Sequence, residues 1–144
     1  MSDKVIAQRC AETMFANDTA SRNLGIEVDV DQAGEAVARF EVTETMLNGH
    51  SVCHGGFIFA LADTAFAFAC NGYNQLTLAA AASIDFLRPA KKGDKLTAFA
   101  KERHRGGRSG VYDVVVSNQD DEQIALFRGR SHATRHTILA QSDT

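Results

Sequence analysis

Apolar positions fall into two periods along the chain, and the change between them marks the elements. In residues 3–17, Val5, Ile6, Cys10, Met14 and Phe15 stand near helical spacing and Asn17-Asp18 supplies a stop, which predicts a short amphipathic helix. From Ile26 the period becomes two. IEVDVDQ is followed by the turn pair Ala33-Gly34 and then EAVARFEVT, where Ala36, Ala38, Phe40 and Val42 alternate with Val37, Arg39 and Glu41, the pattern of a half-buried hairpin. Residues 54–71 contain no proline and are apolar on nearly every face, which predicts a long central helix. Four short segments follow, TLAAAASIDFL, KLTAFAKER, VYDVVVSN and QIALFRGRSHAT, separated by Gly-, Pro- or Asp-containing stretches as in consecutive antiparallel strands. The final stretch, 134–144, reads as a loose tail. The expected architecture is α+β: an antiparallel sheet packed on a long helix, within one domain spanning 1–144 with its core at about 20–133.

Composition narrows the functional classes. At 144 residues, 44% hydrophobic and 23% charged, the chain has the make-up of an ordinary folded globule. A formal charge of −3 gives no global attraction to nucleic acid or an anionic membrane, and the apolar run from Gly55 to Ala62 is far shorter than a bilayer span. Neither partner is expected. Cys10, Cys53 and Cys70 form no disulfide framework and the N-terminus lacks a signal-peptide core, so a cytoplasmic setting is expected.

The central helix carries one carboxylate, Asp63, in apolar surroundings. Burying a carboxylate costs several kcal/mol unless it is paired, and its usual response is a raised pKa. Asp63 is either held by a local donor or at a solvent-reaching edge, or it is stationed as a base or nucleophile in a water-poor pocket. It lies eight positions after Gly55, about 12 Å along the axis at ~1.5 Å per residue. One chain cannot bring both to one atom. Two such helices running antiparallel across a twofold axis can, with the helix N-terminus offering N–H donors to an oxyanion and the other subunit's carboxylate attacking or activating water.

Other candidates are weaker on their own. Asn48-Gly49 is a common turn dipeptide. His50, Cys53 and His54 are too close in sequence to converge on one tetrahedral ion, so no metal is expected. Cys53 next to His54 reads as a packed cysteine rather than a nucleophile. KERHRGGR at 101–108, with Arg88, Lys91 and Lys92, is a local basic concentration suited to phosphates or to plain solvation. No G-x-S-x-G elbow, P-loop or dinucleotide fingerprint is present.

The segments NGH..CHGG....LADTAFA, SIDFLRPA, GVYDV and ALFRGRSH together closely resemble the hotdog-fold acyl-CoA thioesterases, in particular the PaaI-type subfamily associated with phenylacetate degradation. The resemblance runs from about residue 20 to 133. It implies a curled antiparallel sheet wrapped around the central helix, a homodimer that shares its active sites, and a dimer of dimers. The implied activity is hydrolysis of aryl-acetyl-CoA thioesters, with CoA ester as substrate and no cofactor. It implies Asp63 as nucleophile or general base, Gly55 as the backbone donor to the thioester carbonyl with His54 beside it, and Asn48 as the amide that orients water or thioester. Gly56 is a candidate on the substrate side, and of Phe57, Phe59, Phe66 and Phe68, which by residue type are more often core than acyl pocket, Phe57 is the first expected to line it. Arg88 and the loop His104–Ser109, with Arg105, Gly107, Arg108 and Ser109, would lie along CoA. Where relatives carry a Ser or Thr on the strand after the helix, Leu78–Ala82 contains only Leu and Ala. A non-catalytic acyl-CoA binding or sensing module on the same fold is the alternative.

Overall fold

The computed structural model describes residues 1–140. Helix α1 spans Asp3–Asn17, its first turn capped by the Ser2 hydroxyl accepting the Val5 N–H. Asp18 ends α1 and starts a second short helix, α2 (Thr19–Asn23), by accepting the Ser21 N–H at 3.0 Å. That helix is absent from the sequence expectation. The hairpin follows as β1 (Glu27–Asp29) and β2 (Glu35–Glu41), with Ala36, Ala38 and Phe40 turned inward as the two-residue period predicts.

After a 3-10 turn at Glu44–Met46 comes the long helix α3 (Gly55–Cys70), then β3 (Thr77–Phe86), β4 (Lys95–Gly106), β5 (Ser109–Ser117) and β6 (Gln123–Ala133). The six strands form one antiparallel sheet in the order β1-β2-β4-β5-β6-β3. α3 packs across it, mainly on β2, β4 and β5. Ile58, Leu61, Ala62, Ala65, Phe66, Phe68, Ala69 and Cys70 are buried there. Removing a side chain the size of Leu61 or Phe66 from water contributes roughly 1.5–3 kcal/mol, which makes this helix-on-sheet layer the core. Phe66 packs against Tyr112 and Phe127 at centroid distances of 5.5 and 5.8 Å.

The sheet leaves one stripe of α3 incompletely covered. Phe59 and Ala60, then Asp63, then Ala67, in steps of three or four positions, are only partly buried. Strand β3 is an unpaired sheet edge, and most of its side chains are exposed. Its start is fixed to the end of α3 by Asn71, which accepts the Thr77 N–H at 2.8 Å and donates to the Thr77 carbonyl at 3.0 Å.

Two expectations need correction. The loop anticipated over His104–Ser109 is mostly strand: β4 runs to Gly106 through a bulge at Glu102/His104, and only Gly107 and Arg108 form the turn, Gly107 with φ +58°. The tail anticipated as loose from residue 134 is pinned through 139. The Leu76 N–H donates to the His136 carbonyl and the Leu76 carbonyl accepts the Thr134 N–H, the Asn74 Oδ1 accepts the N–H groups of Ile138 and Leu139, and Leu139 is buried. Residues 141–144 of that expectation lie outside the described residues.

Candidate functional site

The N-terminus of α3 is built by the loop that precedes it. The His54 N–H donates to the Met46 carbonyl at 2.7 Å and the Cys53 N–H to the Ala90 carbonyl at 2.8 Å, so the loop is tied down on both sides. His54 then caps the helix twice. Its Nδ1 accepts the Gly56 N–H at 2.9 Å and its carbonyl accepts the Phe57 N–H at 3.0 Å. Of the first three donors, the Gly55 N–H is the one without a partner among the described residues. A helix start concentrates positive potential, so this donor favours an oxygen that gains negative charge.

A groove of about 350 Å³ opens beside Gly55, lined by Cys53, Ile58, Phe86, Leu87, Arg88 and Pro89. Phe57 is not among these residues. It packs partly buried on the core, edge-on to the His54 ring at 6.2 Å. The aromatic side chain at Gly55 is Phe86, the last residue of β3. A Cβ added to Gly55 would lie 3.0 Å from the Phe86 Cζ, so glycine is what admits the ring. Reading the strand as a period-two element puts Phe86 on the helix-facing side, but its reach to Gly55 depends on the fold.

Asn48 serves two ends. Its Oδ1 accepts the N–H groups of His50 at 2.9 Å and Val52 at 3.3 Å, an Asx-type turn that satisfies the structural reading of Asn-Gly. Both donors are backbone N–H groups, which assigns the amide oxygen and leaves Nδ2 as a donor with no partner among the described residues.

Asp63 is half-buried, and its carboxylate makes no hydrogen bond or ion pair among the described residues. Burial pushes its pKa above the ordinary carboxylate value. No local donor holds it. The neighbouring Thr64 hydroxyl is committed to the Ala60 carbonyl at 2.7 Å. Ser83 sits opposite Arg128, on the sheet face turned away from α3. Neither hydroxyl replaces the one missing from Leu78–Ala82.

The remaining candidates are dispersed. Arg88 pairs with Glu122 at 3.1 Å at the rim of the groove. Arg105 lies over the Tyr73 ring at 3.6 Å and donates to the Gln75 side chain, while Gly107, Arg108 and Ser109 form the tip of the β4–β5 hairpin. The Arg108 guanidinium has no partner among the described residues. Beneath this tip, Glu102 accepts hydrogen bonds from Tyr73 at 2.9 Å and Tyr112 at 2.8 Å, and burial beside the carboxylate pushes the Tyr73 hydroxyl up to about 12. Cys53 is buried and its thiol is pushed up to about 11, which makes it a packed thiol rather than a thiolate. Among the described residues no three His, Cys, Asp or Glu side chains gather as a metal ion would require. No helix among them is long and apolar enough to cross a membrane.

A Thioesterase superfamily model matches residues 50–125, the stretch from the capping loop to β6. The chain is 48% identical over 132 residues to the Escherichia coli acyl-coenzyme A thioesterase PaaI, covering 92% of this chain and 94% of that protein. The solved structure of the E. coli PaaI protein from the phenylacetic acid degradation operon superposes with a TM-score of 0.92, over 94% of this chain and 99% of that one. A Streptococcus mutans protein bound to acetyl CoA, 27% identical, superposes with a TM-score of 0.72 over 76% of this chain and 88% of that one. Helix-wrapping sheet, capped α3 and matched sequence agree: the chain belongs to the thioesterase superfamily and has its hotdog fold.

Proposed function

We propose that the protein is an acyl-CoA thioesterase that hydrolyses aryl-acetyl-CoA esters, such as phenylacetyl-CoA and its ring-modified or hydroxylated forms, to the free acid and CoA. The setting is phenylacetate degradation in the cytoplasm. The observation that carries this reading is the pairing of an unpartnered Gly55 N–H beside an apolar groove with an unpartnered, half-buried Asp63 on the same helix. The likeness to a thioesterase at 48% identity supports the substrate class.

Eight helical positions separate Gly55 from Asp63, so one site takes its donor from one subunit and its carboxylate from another. The unpaired β3 edge, with Leu78 54% and Phe86 52% exposed, supports a homodimer that extends the sheet, and a dimer of dimers beyond it. In that dimer the thioester carbonyl accepts from the Gly55 N–H and the Asn48 amide. Asp63 of the partner subunit takes a proton from water as the water oxygen bonds to the carbonyl carbon, or attacks that carbon itself to form an anhydride that water then opens. Collapse of the oxyanion breaks the carbon–sulfur bond and CoA leaves as thiolate, a good leaving group that needs no strong acid. Arg108 and its turn are suited to the nucleotide phosphates. Water and these residues suffice, without a cofactor.

The test is release of CoA thiol from phenylacetyl-, hydroxyphenylacetyl-, short- and long-chain acyl-CoAs by wild type and Asp63→Asn. Aryl-acetyl turnover that vanishes in Asp63→Asn is the expected result. Binding of acyl-CoA with no turnover of any ester would overturn it in favour of a sensing module.

A further inference from the structure

The groove beside Gly55 contains one aromatic residue. Its other lining groups are the Cys53 thiol, the aliphatic Ile58, Leu87 and Pro89, and Arg88, whose guanidinium is paired with Glu122. Phe86 is 52% exposed, yet its tip is not free. Cζ, Cε1 and Cε2 lie 3.0, 3.3 and 3.5 Å from the point a Gly55 Cβ would occupy. The ring therefore crosses from the end of β3 to the residue with the free N–H, and its flank stays open to the groove.

We propose that Phe86 is the specificity residue for an aromatic acyl group: a carbonyl bound at the Gly55 N–H places the ring of an aryl-acetyl group against the Phe86 ring. This rests on the thioesterase reading and deepens it. A hydrogen-bonded carbonyl oxygen lies ~2.9 Å from its donor nitrogen, so the acyl carbon chain begins within contact range of whatever touches Gly55. In an aryl-acetyl ester a single methylene joins carbonyl and ring. That short link confines the aryl group to the groove beside Gly55, whose one aromatic lining residue is Phe86. Offset-stacked and edge-on aromatic pairs gain stabilisation beyond their shared apolar area, whereas a saturated ring of similar bulk gains only the area. Cys53, Ile58, Leu87 and Pro89 hold both rings equally well. Discrimination between them therefore falls to Phe86, which acts on the position of the substrate and not on the proton or the water.

The experiment compares kcat/KM for phenylacetyl-CoA and cyclohexylacetyl-CoA in wild type, Phe86→Leu, Phe86→Met and Phe86→Tyr. Wild type prefers the phenyl ester. In Phe86→Leu and Phe86→Met its kcat/KM falls roughly three- to tenfold, while the cyclohexyl ester changes by less than about twofold and Phe86→Tyr keeps the preference. Equal losses on both esters, no loss on either, or a wild type that does not distinguish them would overturn the assignment. Failure of wild type to turn over any ester would instead remove the thioesterase reading on which it rests.

Discussion

The Nδ1 of His54 accepts the N–H of Gly56 at 2.9 Å, and this bond decides which donor of α3 remains for a ligand. With Gly56 held by the ring and Phe57 by the His54 carbonyl, Gly55 is the one of the first three donors that presents an open N–H among the described residues. The cap needs Nδ1 unprotonated, so the neutral ring carries its proton on Nε2.

His54 on this geometry is a positioning residue. His54→Ala should cost ~1 kcal/mol of stability and slow turnover, because Gly56 then competes with Gly55 for the carbonyl oxygen. Asparagine is a good capping residue, so His54→Asn should recover both the melting temperature and the rate. Thermal unfolding and CoA release, read side by side, check it. Wild-type stability with a still-depressed rate in His54→Asn would move the Nε2–H onto the substrate.

Asp63 ties activity to stability. Burial raises its pKa in the folded protein, so the native state holds its proton at pH values where the unfolded chain has released it. Native-state proton binding exceeds unfolded-state binding in that window, and the contribution of Asp63 to stability falls as pH rises from the ordinary carboxylate value of ~3.9 through the raised one, then stays low. Asp63→Asn should therefore abolish turnover yet stabilise the fold at neutral pH. The side chain is half-exposed, so solvent screening limits the gain to ~1 kcal/mol or less. The gain should vanish in acid, where Asp63 is protonated as well. Denaturant melts at pH 7 and below pH 4 test this; a destabilised Asp63→Asn at pH 7 would mean that a donor holds the carboxylate.

Gly129 on β6 accommodates Phe66. A Cβ there would lie 2.8 Å from Cε1, Cε2 and Cζ of a ring that is 1% exposed and enclosed by Tyr112 and Phe127. Gly129→Ala should cost about 1–3 kcal/mol, as overpacking does when the neighbour cannot withdraw. Shortening the ring in Phe66→Leu should relieve part of that strain, seen as coupling in a double-mutant cycle. Strictly additive losses would show that the helix moves aside.

The sequence carries those features whose cause is local. The period change at residue 54, the inward Ala36-Ala38-Phe40 series and the buried helix all follow from spacing, and each appears in the fold. Features set by distant partners were hidden. The tail is fastened by Asn74, whose bonds to Ile138 and Leu139 span 64 and 65 positions. The charged, glycine-rich tip of β4–β5 resembles a loop because its residues are polar, while the neighbouring strand supplies the pairing that makes it sheet. α2 had a local signal, Asp18 three residues before Ser21, outweighed by its use as the stop of α1. Asp63, Gly55 and Asn48 stand out by type and place, but that Gly55 alone of the first three keeps an open donor depends on the His54 ring, and Phe86 enters only once β3 and α3 are side by side.

The β3 edge also bears on how the protein withstands dilution. Edge strands of proteins that live alone are guarded by lysine, proline or inward-pointing charge, and from Leu78 to Ser83 this strand has none of these. A solitary subunit would expose a bare hydrogen-bonding template flanked by Leu78 and Phe86, open to any passing strand. In the dimer proposed above, stability is inseparable from concentration. Scarcity of copies, as in early synthesis or extreme dilution, is therefore a stress against which this fold carries no local protection.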